Sequence, residues 1–237
     1  MAGDTAWVVV TAIPDVAPHH PALEVRPLID FVRAEATAWP APIPLAAEPP
    51  QVSDDRVWFR PSSPTRAEGG RYHGVFHRDG SALIAVAVGS RRESPSDLVP
   101  SWAVGEGAVA WILVAALHLA AGYADRRGTE TFHAGAVLAP PGAFPIEIWN
   151  HDQGTYGPAG RRLDKPAPAF RDLATSDCRS SRLVAAAQPL LAGVLDPFGL
   201  AGDRHLDPAG ALRRDSFTGF GEKIRSWADS IGVPSRP

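Results

Sequence analysis

The run Trp7 to Ile13 (WVVVTAI) is β-branched, apolar at nearly every position and closed by Pro14. Because both alternating faces are apolar, it predicts a buried strand. After a loop to Pro21, Pro27 falls where a first helical turn tolerates proline. Leu28, Phe31 and Val32 follow at helical spacing, which predicts a short helix ending near Thr37. Trp39 to Gln51 is rich in proline and reads as a surface crossing. Arg56 to Arg60 (RVWFR) reads as a strand, and Arg71 to Gly89 as a hairpin whose two β-rich runs flank Asp79-Gly80, a pair suited to positive φ.

Ser94 to Ser101 is expected to lead into a helix with Ser101 as its cap, and Ala108 to Ala124 (AVAWILVAALHLAAGYA) is that helix. A helix apolar on every side is one buried on every side. Its 17 residues are at the short limit for a bilayer at ~1.5 Å per residue, and they include His118, so no membrane role is expected. Asp125-Arg126-Arg127-Gly128 supplies a basic last turn and a glycine stop. Thr131 to Leu138 and Ile146 to Asn150 read as two further strands paired through Pro140-Pro141-Gly142. Asp152 to Pro168 lacks periodicity and reads as a long loop. Two helices close the chain, Leu183 to Leu195 and one around Ile224, Trp227 and Ile231. The pattern predicts an α+β fold: a mostly antiparallel sheet of about six strands on a long buried helix. Residues 1–175 would form the sheet domain, and residues 176–237 a helical extension packed on it.

Composition narrows this picture. The chain has 237 residues, 45% of them hydrophobic and 21% charged, enough to bury a sizeable core. Its net charge of −3 offers no global positive field for a polyanion, so any nucleic-acid binding has to be local. Cys178, the only cysteine, excludes an internal disulfide and a thiolate zinc site within one chain. Together with an amino terminus that has no basic-then-apolar leader, it points to a reducing cytoplasm.

The candidate chemistry is sparse. His73 and His77 are ~13 Å apart along a strand, too far to share one ion, and read as structural. His133, His151 and Asp152 could line a site at strand ends, facing the long loop. Cys178 precedes a helix, where amide donors would lower a thiol pKa, but no nucleophile signature surrounds it. Four arginine pairs, Arg91-Arg92, Arg126-Arg127, Arg161-Arg162 and Arg213-Arg214, lie at element ends. If the fold gathers them they would bind phosphate bidentately. No metal or cofactor is expected.

The closing segments AAAQPLLAGVLDPFGL and IRSWADSIGV, with Pro197 stopping one helix and Gly199 turning the chain, resemble the end of a group of actinobacterial DNA-binding proteins. These carry a divergent Schlafen-like, AlbA-type module in front of an α+β region. The resemblance implies kinship with that rear region. The nucleic-acid or nucleotide binding attributed to the front module does not carry over, and no catalytic residue of the family maps here. Three functions are therefore expected in descending order: a non-catalytic cytoplasmic accessory domain that associates with a partner protein or with itself; a nucleic-acid or nucleotide binder using the arginine pairs; and a hydrolase near His151.

Overall fold

Strand β1 (Ala6–Pro14) puts Val8, Val10 and Ala12 on one face of a sheet, each at most 2% exposed. On its other face Ile13 is 52% exposed, whereas Trp7 is buried. That alternation organises the molecule, a computed structural model that describes residues 5–21, 24–36, 49–60, 72–92, 100–142, 144–150, 155–156, 165–217 and 221–237. Seven antiparallel strands form the main sheet. Besides β1 they are β2 (Gln51–Val52), β3 (Arg56–Phe59), β4 (Tyr72–His77), β5 (Ala82–Val88), β8 (Thr131–Ala139) and β11 (Ala169–Ala174), in the order β11-β8-β1-β5-β4-β3-β2. A second sheet, in the order β10-β9-β7-β6, contains β6 (Ser90–Arg92), β7 (Ser101–Gly105), β9 (Ile146–Asn150) and β10 (Thr155–Tyr156). The helices are α1 (Val25–Ala36), α2 (Glu106–Arg126), α3 (Thr175–Cys178), α4 (Leu183–Leu195) and α5 (Gly221–Ile231). The short strands β12 (Leu212–Arg213) and β13 (Ser235–Arg236) pair in parallel near the end of the chain.

Helix α2 lies against β1, β5 and β8, and every residue from Val109 to Ala124 is buried. It is long and apolar enough to cross a bilayer, but 89% of its most apolar window lies inside the protein, so that surface is spent on the core. Its small residues let neighbours come close: Phe31 of α1 and Arg179 both reach Gly122. The helix stops where Gly128 adopts φ 67°, with the Thr129 amide donating to the Ala124 carbonyl oxygen at 2.9 Å, a glycine-dependent helix end. Helix α4 covers the β8–β11 end of the same sheet face, Gly193 meeting Ala169. Leu183, Leu190, Leu191 and Trp227 belong to the same hydrophobic cluster as Val10 and Ile84. The extension of residues 176–237 thus shares the core of the sheet that it covers.

The α+β class, the mostly antiparallel sheet and the long buried helix agree with the sequence pattern; several details differ. Seven strands, not about six, form the main sheet, and four more build a second. Thr131 to Leu138 and Ile146 to Asn150 do not pair with each other. Strand β8 has β1 on one edge and β11 on the other, so β9 crosses to pair in parallel with β7. Ser101 is not a helix cap. It lies in β7 and donates from Oγ to Glu147 Oε2 at 2.8 Å, while Gly105 occupies the cap position of α2. In the β4–β5 hairpin only Gly80 takes positive φ, 91°. Asp79 instead accepts the Ser81 amide on Oδ1 at 2.8 Å, giving a longer, bulged turn.

Candidate functional site

With α2 and α4 on one face of the main sheet, the residues between the core positions define an outer face. At the β11 end, antiparallel register sets His133 opposite Ile13 on one side and Asp172 on the other. His133 Nδ1 is 2.7 Å from Asp172 Oδ1, and its ring stacks on Phe170, with centroids 5.4 Å apart and planes within 15°. Phe170 is 50% and Ile13 52% exposed, so two apolar side chains flank an oriented imidazole in solvent. The carboxylate holds the ring against the phenyl. The product is a fixed flat surface with one acidic corner.

The other end of this face carries cations. Arg56 and Trp58 of β3 alternate with the core residues Val57 and Phe59, and the register sets them opposite His77 and Val75 of β4. Arg60, just beyond β3, lies beside His73. Burial first, and then the Arg60 charge, lower the His73 pKa. These residues and Leu83 line a cleft of about 340 Å³. The Arg56 guanidinium is stacked 4.8 Å from the Trp58 ring centre, and Trp7 lies 5.2 Å from His73 behind them. The acid beside the cleft is exposed Asp55, 3.3 Å from Arg56 Nε. A hydrogen bond from Ser53, ahead of the Arg56 charge, lowers its pKa. Sequence reading set His73 and His77 aside as structural. Their common face with Arg56 and Trp58 follows from the two-residue strand period once the β3–β4 register is known.

The arginine pairs are spread over separate parts of the fold. Arg92 is 3.0 Å from Glu147 and Arg91 lies 5.0 Å over Phe144, beside the second sheet. Arg126 stacks 4.2 Å over Phe31. Arg127 is 4% exposed and donates to the Arg78 carbonyl oxygen at 2.6 Å, tying the end of α2 to the β4–β5 turn. Arg213 is 3.4 Å from buried Asp207, which also pairs with Arg236, and the Arg214 carbonyl oxygen accepts the Phe217 amide at 3.1 Å. Each of these contacts serves the fold. Arg161, Arg162, His151 and Asp152 lie outside the described residues, as does most of the 152–168 loop. Among the described residues, no group of three or more His, Cys, Asp or Glu is placed to hold a metal ion.

Two polar clusters had no signature in the sequence. Inside the protein, His118 of α2 faces α1 and α3. It donates from Nδ1 to the Cys178 carbonyl oxygen at 3.2 Å, and its Nε2 faces Arg179 Nη1 at 2.7 Å and Glu35 Oε2 at 3.4 Å. Neutral, Nε2 accepts from the guanidinium; protonated, it donates to the carboxylate. Arg179 holds both Glu35 oxygens, at 3.0 and 3.1 Å. Hydrogen bonding to His118, reinforced by Arg179, holds the Glu35 carboxyl at about 2 against the opposing effect of burial. Cys178 does lie ahead of a helix, α4, but it ends α3 and is fully buried, and burial together with the Asp177 charge pushes its thiol up to about 12. A raised thiol pKa and full burial both disfavour nucleophilic chemistry at this position. Near the carboxyl end, fully buried His205 meets Ser216 Oγ at 2.7 Å through Nδ1. The serine donates its proton to the Arg213 carbonyl oxygen at 2.6 Å, so the imidazole supplies the other hydrogen and the pair acts structurally. Compared with protein-family models, curated proteins and solved structures, the chain matches none of them.

Proposed function

We propose that this chain is a non-catalytic association domain which engages another protein through the β11 end of its outer sheet face. The observation that carries the reading is the exposed Phe170–His133–Ile13 surface. Interface cores favour a rigid aromatic anchor flanked by aliphatic contact and a polar rim, and here Phe170 is the anchor, Ile13 the flank and Asp172 the rim. The fitting partner presents an apolar side chain to Phe170 and a basic group to Asp172. A reducing cytoplasm suits a chain whose single thiol is buried. Kinship with the rear region of Schlafen-like proteins, as the closing segments suggest, would fit a module that works beside a separate subunit.

Native mass spectrometry of the protein isolated gently from its own organism tests this. A co-purifying protein, or a doubled mass from a second copy, is expected, and Phe170→Asp should weaken the complex by roughly 30-fold, the range of an aromatic hot spot. A bare single-chain mass with no partner overturns the reading. Of the three residues of the hydrolase reading only His133 is among the described residues, where it meets Asp172; the other two lie outside them. Nucleic-acid or nucleotide binding through the arginine pairs loses weight because Arg92, Arg126, Arg127 and Arg213 are engaged within the chain.

A further inference from the structure

We infer that the cleft over β3, β4 and β5 binds single-stranded nucleic acid, with one base on the Arg56–Trp58 stack and phosphates to either side. The cleft has three cross-strand rows. Arg56 faces His77 in the first, Trp58 faces Val75 beside Leu83 in the second, and Arg60 lies beside His73 in the third. Successive rows are two residues, about 7 Å, apart along the strand. An aromatic floor flanked on both sides by cations matches a nucleotide within a strand, which carries phosphate on both sides of its base. A mononucleotide fills only one flank.

The details support that occupant. The Arg56 guanidinium lies over the indole at 4.8 Å, and a base stacks on a flat surface of this kind whatever its identity. Arg56 shares its charge with Asp55 at 3.3 Å. Arg60 is exposed, and among the described residues it has no carboxylate within ion-pair distance. A net charge of −3 over the chain is compatible with this, because Arg56 and Arg60 both line the one cleft and act locally. This site lies at the opposite end of the outer face from Phe170 and stands or falls independently of the proposed association surface.

The test is fluorescence anisotropy of the full chain with a labelled thymidine dodecamer. Two phosphate contacts give a salt slope of about −1.4, so raising salt from about 50 to 200 mM should weaken binding about sevenfold. Trp58→Ala should cost about 5- to 150-fold, the range for one stacked base. Arg60→Gln, at the exposed rim, should make the salt slope shallower by about 0.7, and it keeps the test decisive if Trp58→Ala does not fold. Absence of binding at the lower salt overturns the inference, as does binding that neither substitution alters. Displacement of the strand by an equal concentration of thymidine monophosphate would assign the cleft to a free nucleotide and overturn the strand reading.

Discussion

His118 and His133 both meet a carboxylate, yet one holds the protein together and the other decorates its surface. His118 is 5% exposed and stands 3.4 Å from Glu35, with Arg179 bridging the two. His133 touches Asp172 more closely, at 2.7 Å, but the two side chains are 47% and 79% exposed. Distance therefore misranks them. In water a close ion pair contributes little, whereas a pair removed from water leaves an uncompensated charge when one member is deleted. The inner cluster ties three helical elements together, while the outer pair only orients a ring.

This contrast can be broken or sharpened in four ways. The largest effect is on reactivity beside His118. With its thiol pushed up from 9.0 to about 12, Cys178 should carry about a thousandfold less thiolate in the folded than in the unfolded chain, so a thiol-specific disulfide reagent should label the folded chain much more slowly, which can be followed by absorbance because there is only one cysteine. Rapid labelling under native conditions would mean that α3 opens readily. Next, Arg179→Ala should destabilise the protein by about 3 kcal/mol in urea unfolding, since it strips both Glu35 oxygens and one side of His118.

A smaller change should appear with acid. The Glu35 carboxyl is lowered from 4.5 to about 2 in the fold, so its contribution is fully present above pH 4.5 and is lost as pH falls from there toward 2. The urea midpoint of the native protein should drop across that window, and Glu35→Gln should be less stable at neutral pH and flatter below it. Equal slopes for the two proteins would remove Glu35 from the acid response. The smallest effect belongs to the outer face: His133→Ala and Asp172→Asn should each shift stability by no more than about 0.5 kcal/mol. A larger loss would make that pair structural and dissolve the comparison.

Much of the fold was legible because its cause is local. The all-apolar run of α2, the helical spacing of Leu28, Phe31 and Val32, and the stops at Gly128 and Pro197 each act within a turn or two of chain. Strand β11 was missed because Ala169–Ala174 (AFRDLA) has no clean alternation; it is a strand because β8 offers a free edge. The pairing of Thr131–Leu138 with Ile146–Asn150 was misread for the converse reason, since β1 and β11 had already taken both edges of β8. Of the residues first singled out, His133 does lie on an open surface, but beside Asp172 and Phe170, which are distant from it in sequence.

By itself, then, the sequence determined the longer helices, most strands of the main sheet, the class and the helix at the centre, because apolar periodicity, proline and glycine act on the chain nearest to them. The tertiary structure alone decided which arginines are spent on the fold, that Arg56, Trp58, Arg60, His73 and His77 share a cleft, and that His118 has charged company while Cys178 is sealed. These are outcomes of strand register and helix docking. They depend on which distant residues are brought within a few ångströms of one another, and on how much water is left between them.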